Sequence, residues 1–519
     1  MVLTGKKIVF FLVQSVDLPL CGMLLFSYAE TIQIIHFIEG NFMKILVLNG
    51  SPKGDYSITL HTVRFLEILH PEDSFEVLHV GQKIRSLEKD FSEAKEQIEA
   101  ADVLLFSYPV YTFITPYQLH SFVELMKEHQ VNVAGKIATQ VTTSKHFYDV
   151  TAHRFIQDNC QEMGMNYVRG LSADMEDLPT ETGQTEAKKY WEHFHWCVEH
   201  GIYEPCYLKN TPAVHKPVSV PSVVGHDMQT SSSAPTTDSI LMPSTSSTAT
   251  HDVVIVADYK PEDAQLIAMI ERFRATLSAS SRIVNIQEYP FKGGCIGCFN
   301  CATDGICIYK DGFDTFLRDN IQQASAIIYA FSIKDHSMGS RFKMYDDRQF
   351  CNGHRTVTMG MPIGYLISGN YSEEQNLQMI LEARAQVGGN ILTGIATDEF
   401  SPNENIDHLA ASLEYALEHK NTQPKNFYGV GGMKIFRDLI YQMQGMMKAD
   451  YRFFKSHGQF DFPQKKKGTI IGMYLVGAML ASPKLKAKIG NQMNEGMIMS
   501  HKKVLDEARA KYGQPEKDA

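Results

Sequence analysis

Between residues 43 and 205 the chain alternates five short β-type runs with amphipathic helical ones, and between 252 and 419 it does so again. The first set is KILVLNG (44–50), SFEVLHV (74–80), DVLLFSYPV (102–110), KIATQVTTS (136–144) and MNYVRGLSA (165–173). The second is DVVIVADY (252–259), RIVNIQEY (282–289), ASAIIYAFS (324–332), MPIGYLISG (361–369) and GNILTGIAT (389–397). Apolar runs of this length, separated by helical spacers, predict parallel strands joined by crossover helices. Each set therefore predicts a five-stranded, doubly wound α/β sheet whose ligands bind beyond the carboxyl ends of its strands. The matching spacing of the two sets predicts one fold used twice, an internal duplication at domain scale.

The intervals around these domains read differently. Residues 206–251 are rich in Ser, Thr and Pro, nearly uncharged and aperiodic, so they predict a linker. Residues 1–42 place Lys6 and Lys7 ahead of an apolar run that Asp17 and Pro19 interrupt. That run is too short to span a bilayer and no small-x-small cleavage site follows it, which predicts a poorly structured extension ahead of Met43 and no stable membrane span. Residues 420–519 read as Met- and Lys-rich helices broken by Pro463 and Pro483. They suit a helical extension packed on the second domain, or a surface for a partner or a membrane.

Charge and cysteine usage narrow the function classes. A net charge of −10 without a Lys/Arg stripe argues against a nucleic-acid partner, since phosphate binding draws its affinity from clustered cations. Nine cysteines, an odd number, do not suit a secreted disulfide framework and fit a reducing cytoplasm better. Cys160, Cys197, Cys206 and Cys351 are scattered singly and read as small hydrophobes or inert thiols. Histidines give no hydrolase signature; His146 alone falls in a predicted ligand loop.

Two motifs carry chemistry. After the first strand comes Asn49-Gly50-Ser51-Pro52-Lys53-Gly54-Asp55-Tyr56-Ser57-Ile58-Thr59, running straight into a helix. Hydroxyls at Ser51, Ser57 and Thr59, the Lys53 ammonium and the amides of a helix start form an anion cradle sized for a monophosphate. Neither a P-loop nor a G-x-G-x-x-G pattern is present. The third strand closes with Pro109-Val110-Tyr111-Thr112-Phe113 and the fourth with Thr142-Thr143-Ser144, offering aromatic faces and polar donors to a flat heterocycle. The second motif is Cys295, Cys298, Cys301 and Cys307 in GGCIGCFNCATDGICIYKDGF. Four thiols at such spacing suit a [4Fe-4S] cluster; zinc, a disulfide pair and a metal-free loop are the other fillings.

The GSPKGDYSIT and PVYTF loops together resemble the flavodoxin-like NADPH-dependent FMN reductase family, and the cysteine run resembles its iron–sulfur flavoprotein branch. The resemblance covers 43–205 and 252–420. It implies FMN as cofactor, its phosphate at Ser51, Lys53, Ser57 and Thr59 and its isoalloxazine near Pro109, Val110, Tyr111, Thr112, Phe113, Thr142, Thr143 and Ser144. It further implies NAD(P)H as electron donor, a [4Fe-4S] cluster on the four cysteines, a small-molecule or protein electron donor or acceptor, and a homo-oligomer with flavin sites close to the subunit contact. No side chain is implied as acid or base. A cluster-free NAD(P)H:quinone or FMN reductase and a non-enzymatic flavin electron carrier are the alternatives. The second half departs from the pattern. Its turn Val256-Ala257-Asp258-Tyr259-Lys260-Pro261-Glu262-Asp263 lacks the hydroxyls and adds carboxylates that repel a phosphate. It keeps Phe342-Lys343-Met344-Tyr345-Asp346-Asp347-Arg348, which resembles the family's Lys-x-x-x-Asp-Arg helix, where the first half has Phe122-Val123-Glu124-Leu125-Met126. One FMN is therefore expected, in the first half, served by the cysteines of the second.

Overall fold

The structure is a computed structural model and describes residues 43–209, 211–221, 251–302, 304–420 and 422–480. The expected N-terminal extension, most of the expected linker and the end of the C-terminal region lie outside the described residues. The chain forms two compact units. The first holds the described residues up to Phe299, with Cys307–Phe350 and Thr356–Gly432; the second holds Asn300–Ile306, Cys351–Arg355 and the described residues from Met433.

Both sheets belong to the first unit. The strands β1 (Lys44–Asn49), β2 (Ser74–Leu78), β3 (Val103–Pro109), β4 (Ile137–Ser144) and β5 (Asn166–Tyr167) run parallel in the order β2-β1-β3-β4-β5, and β6 (Leu171–Asp174) also pairs with β4. The second sheet sets β7 (Asp252–Asp258), β8 (Ser280–Asn285), β9 (Ala326–Ser332), β10 (Pro362–Ser368) and β11 (Ile391–Thr397) in the order β11-β10-β9-β7-β8, again all parallel. Counted within its own half, each sheet has the order 2-1-3-4-5 of flavodoxin-like folds. Central strands such as ILVLN (45–49) are buried on both faces, because helices cover both sides of a parallel sheet. The one expected strand that divides is the fifth. At Gly170 the backbone presses on β4, where a Cβ would lie 2.2 Å from the Gln140 carbonyl oxygen, and the ladder breaks between β5 and β6.

The crossovers of the first half supply α1 (Ile58–Leu69), α2 (Val80–Leu87), α3 (Ser92–Ala100), α4 (Tyr117–Glu128), α5 (Asp149–Glu162) and α6 (Glu181–His200). Those of the second supply α7 (Ala264–Thr276), α8 (Phe313–Phe316), α9 (Gly339–Arg348), α10 (Gln375–Gly388) and α11 (Pro402–His419). One core gathers Ile45, Val47, Leu105 and Val141 against Trp191 and Phe194 of α6. The other gathers Val253, Ile255, Ile328 and Leu366 against Phe273 of α7 and Leu413 of α11.

Helices α4 and α9 pack on each other and join the two halves. The second unit carries most of α12 (Phe427–Gln442), with α13 (Lys448–Ser456) and α14 (Lys467–Leu480), around Ile440, Met447 and Phe454. No helix among the described residues is long and apolar enough to cross a membrane.

Candidate functional site

The loop after β1 is pinned to the sheet before it reaches α1. Gly50 N donates to Ser107 O (2.9 Å), and the Asn49 side chain accepts from Ser51 N (3.2 Å) while donating to Gly54 O (3.1 Å). Ser51 Oγ accepts from Lys53 N (3.3 Å), and Ser57 caps α1 by accepting from Leu60 N (3.4 Å). Each of these hydroxyls spends a lone pair on the backbone and keeps its own proton to donate. Thr59 Oγ1 lies 2.6 Å from Thr143 Oγ1, tying the loop to the end of β4. With the first-turn amides of a 12-residue helix and the half-buried Lys53, this donor set fits a monophosphate.

Sequence reasoning missed three supports of this loop. Asn49 is one; His79 is the second, with Nδ1 3.1 Å from Asn49 Nδ2 and Nε2 3.4 Å from Asp55 Oδ1. Gly81 is the third, since a Cβ there would meet the Ser51 carbonyl at 2.3 Å. A glycine in the first turn of α2, three residues past β2, was the available signal.

After β3 the chain makes a two-residue turn. Tyr111 N donates to Ile114 O (2.9 Å) and Ile114 N to Tyr111 O (3.1 Å), with Thr112 at φ 43° and Phe113 at φ 70°. Two successive left-handed residues that are not glycine cost about 1–2 kcal/mol each, a strain that other contacts must hold. Pro109, Val110, Tyr111 and Thr112 are half-buried along this turn. Phe113 turns inward instead, against Phe147 (4.9 Å), Tyr148 (4.7 Å) and the Arg384 guanidinium (5.7 Å).

At the end of β4, alternate residues part company, as they do in any strand. Thr143 joins the phosphate loop, whereas Thr142 faces His153 Nε2 at 2.8 Å. Burial lowers the His153 pKa to about 4, with Asp149 opposing that shift. Ser144 is buried and its Oγ accepts from His146 N (2.9 Å).

The cysteine loop of the second half lies on this edge of the first. Gly294 sits where a Cβ would be 2.2 Å from the Tyr117 ring, and Gly297, at φ 61°, where a Cβ would be 2.1 Å from Tyr111 Oη. Gln118 Nε2 donates to Cys295 O (3.1 Å), and Lys53 Nζ stands 5.1 Å from the centroid of the Phe299 ring.

The expected grouping of four thiolates is not found: among the described residues no three or more His, Cys, Asp or Glu side chains are placed to hold a metal ion. The physical reason is that different anchors fix the loop. Cys295 Sγ takes Gly297 N at 3.5 Å, Cys307 N donates to Asp314 Oδ2 (3.0 Å), and Cys301 belongs to the second unit. Cys298 is exposed. The residues as arranged do not fit a cuboidal cluster.

The corresponding edge of the second sheet is filled. Strand register places Asp258 where the first half has Gly50. Gln287 Nε2 donates to Asp258 Oδ1 (2.6 Å); burial raises the carboxyl to about 6, against that bond and the Arg341 charge. Arg341 spends its guanidinium on the carbonyls of Ile286, Gln287 and Tyr289 and lies 4.9 Å from the Phe291 ring. A carboxylate with no hydroxyl cradle disfavours a phosphate there.

Between the halves, His336 carries a pH dependence. Its Nδ1 lies 3.0 Å from Glu374 Oε1 and its Nε2 3.4 Å from Glu162 Oε2. Burial opposes the imidazolium, but the two carboxylates outweigh it and lift the pKa to about 9. A folded-state pKa above the unfolded value of 6.5 gives stability that is complete below about pH 6.5 and lost as pH rises through about 9. Urea unfolding at pH 7 and pH 9.5 should show a loss of roughly 1–3 kcal/mol, and His336→Gln should flatten that dependence.

A cleft of about 740 Å³ lies at the amino ends of the second sheet's strands, lined by Ser325, Met361, Pro362, Asn390, Ile391 and Lys420. Doubly wound sheets place ligands at the other, carboxyl ends of their strands, the end of the first sheet at which the hydroxyl loop and strained turn are found.

Comparison with known proteins agrees with the sheet topology. A family model described as "Flavodoxin-like fold" matches residues 43–193. No curated protein matches the sequence. Among solved structures, general stress protein 14 from Treponema denticola in complex with FMN is similar at 14% identity, covering 30% of this chain and 98% of that one (TM-score 0.25). An NAD(P)H:quinone oxidoreductase from Methanothermobacter marburgensis is similar at 13% identity, covering 32% and 100% (TM-score 0.25). An FMN-dependent NADH-azoreductase from Bacillus anthracis is similar at 12% identity, covering 30% and 99% (TM-score 0.25). The chain thus contains a flavodoxin-like fold at residues 43–193.

Proposed function

We propose that this protein is an FMN-dependent oxidoreductase that binds one flavin, in its first half, and takes electrons from NAD(P)H. The observation that carries the reading is the convergence of Ser51, Lys53, Ser57, Thr59 and Thr143 at one sheet edge beside the strained turn Tyr111–Ile114. Bound FMN supplies hydride and electron chemistry, and the protein contributes binding, orientation and exclusion of water. Ser51 and Ser57 would hold the phosphate with their free hydroxyl protons, and Lys53 would balance its charge. Tyr111 and the cysteine loop would wall the reacting face. The acceptor is a small molecule or a protein, and the setting is cytoplasmic.

Titration of the full chain with FMN, followed by flavin fluorescence, should saturate at one equivalent. Lys53→Gln should weaken binding about tenfold, the loss of one charge-assisted contact. Saturation at two equivalents, or no binding after reconstitution, sinks the reading. NAD(P)H oxidation with a soluble quinone separates an enzyme from a pure electron carrier.

The position of the cysteine loop against Tyr111 and Lys53 supports a second, finer reading, in which the loop, once its thiolates regroup from the described arrangement, passes electrons through an iron–sulfur cluster. Iron and sulfide analysis of anaerobically purified protein decides it: about four irons per chain for a cuboidal cluster, lost in Cys298→Ala.

A further inference from the structure

The turn after β3 has a counterpart after β9. Lys334 N donates to Ser337 O (2.9 Å) and Ser337 N to Lys334 O (3.0 Å), with Asp335 and His336 at φ 53° and 61°. One constant interval in sequence separates Tyr111 from Lys334, Ile114 from Ser337, Tyr117 from Ser340 and Glu124 from Asp347. The contacts repeat with that interval. Asp347 Oδ2 accepts from Tyr117 N (2.8 Å) at the start of α4, and Glu124 Oε1 accepts from Ser340 N (2.6 Å) at the start of α9. Asp347 Oδ1 accepts from Thr112 Oγ1 (3.0 Å); Glu124 Oε2 accepts from Lys334 Nζ (2.8 Å). Each half thus caps the other's helix and grips the other's turn, about an approximate two-fold axis.

The two grips differ in what they hold. Lys343 and Asp347 are fully buried; Lys343 Nζ donates to Asp347 Oδ1 (2.5 Å) and to the Tyr111 carbonyl (2.8 Å). The Tyr111–Ile114 turn is therefore held at Tyr111 O and Thr112 Oγ1 by a buried ion pair of the second half. Its own half adds the Thr151 hydroxyl on Phe113 O and the Phe147 and Tyr148 rings against the Phe113 side chain, none of which bonds Tyr111 O or Thr112 Oγ1. Two left-handed non-glycine residues stay put only where surrounding structure over-determines them, and a binding wall is effective when held to within about half an ångström.

We propose that Lys343 and Asp347 are positioning residues that hold the first half's Tyr111–Ile114 turn in its ligand-binding shape, so that the site of one half is completed by the other. This rests on the flavin reading above. The symmetry supplies its own control, because Glu124 makes the equivalent contacts to a turn whose half has no phosphate loop.

The test is FMN titration of the full chain in three variants, read by flavin fluorescence, with amide hydrogen exchange at Tyr111–Ile114 measured without FMN. Lys343→Met/Asp347→Leu replaces the buried pair by apolar side chains, a change that is often near neutral in stability. It should raise the FMN dissociation constant at least about tenfold, as expected for lost bonds to charged groups, and should speed exchange in the turn. Asp347→Asn keeps the shape and loses the charge; it should act in the same direction, about three- to tenfold. Glu124→Gln should leave FMN affinity within about twofold, within the scatter expected away from the site. Wild-type affinity and unchanged exchange in folded Lys343→Met/Asp347→Leu or Asp347→Asn overturn the proposal. An equal loss in Glu124→Gln also overturns it, by reducing the effect to general docking. If the wild type binds no FMN, the functional reading falls, while the exchange rates still judge the grip itself.

Discussion

Arg384→Met should lower the stability of the first unit by about 3–5 kcal/mol, read as a shift of the urea midpoint at pH 7. Asp346 is buried beneath Arg384, which pairs with its Oδ1. Among the described residues the other cation beside that carboxylate is Lys343, at 3.7 Å and already engaged with Asp347 and Tyr111 O. Removing the guanidinium strands a charge in a dry interior, and that desolvation, rather than the lost attraction, sets the size of the effect. The loss also reaches the first half, because the same guanidinium lies 5.7 Å from the Phe113 ring. Arg384→Met/Asp346→Leu should recover most of the stability, since it removes both charges together. A single variant as stable as the wild type would show that water reaches Asp346.

Gly297→Val should dislodge the cysteine loop. A Cβ at this position falls 2.1 Å from Tyr111 Oη, and the backbone at φ 61° disfavours a β-branched residue. Overpacking costs about 1–3 kcal/mol and the left-handed conformation about 1–2 kcal/mol more, so lifting the loop is the cheaper outcome. Hydrogen exchange across 293–299 should rise sharply while the strands keep their protection. A loop as protected as in the wild type would mean that Tyr111 moved instead.

Legibility followed chemistry. The central strands were readable because a parallel sheet buried on both faces leaves long apolar runs, whether ILVLN or VVIVA. The divided fifth strand was not, because the cause is the Gln140 carbonyl, distant in sequence from Gly170. Ser51, Ser57 and Thr59 were readable as donors before a helix. Thr112 and Phe113 were readable as a loop but not as two left-handed residues, since their own chemistry opposes that shape and residues distant in sequence, Lys343 and Asp347 among them, hold it. Gly294 and Gly297 let Tyr117 and Tyr111 approach, a use that residues distant in sequence impose. The cysteine spacing proposed a ligand set, and spacing alone says nothing of which partners seat each residue.

The exchange of grips between α4 and α9 also bears on dilution. In an assembly of two separate chains, the shape of the Tyr111–Ile114 turn depends on protein concentration, because dissociation removes the residues that hold it. Here both sides of the contact are tethered on one polypeptide, so the second half is always present at an effective concentration far above that of a free subunit. Ligand affinity should then be the same in nanomolar as in micromolar protein.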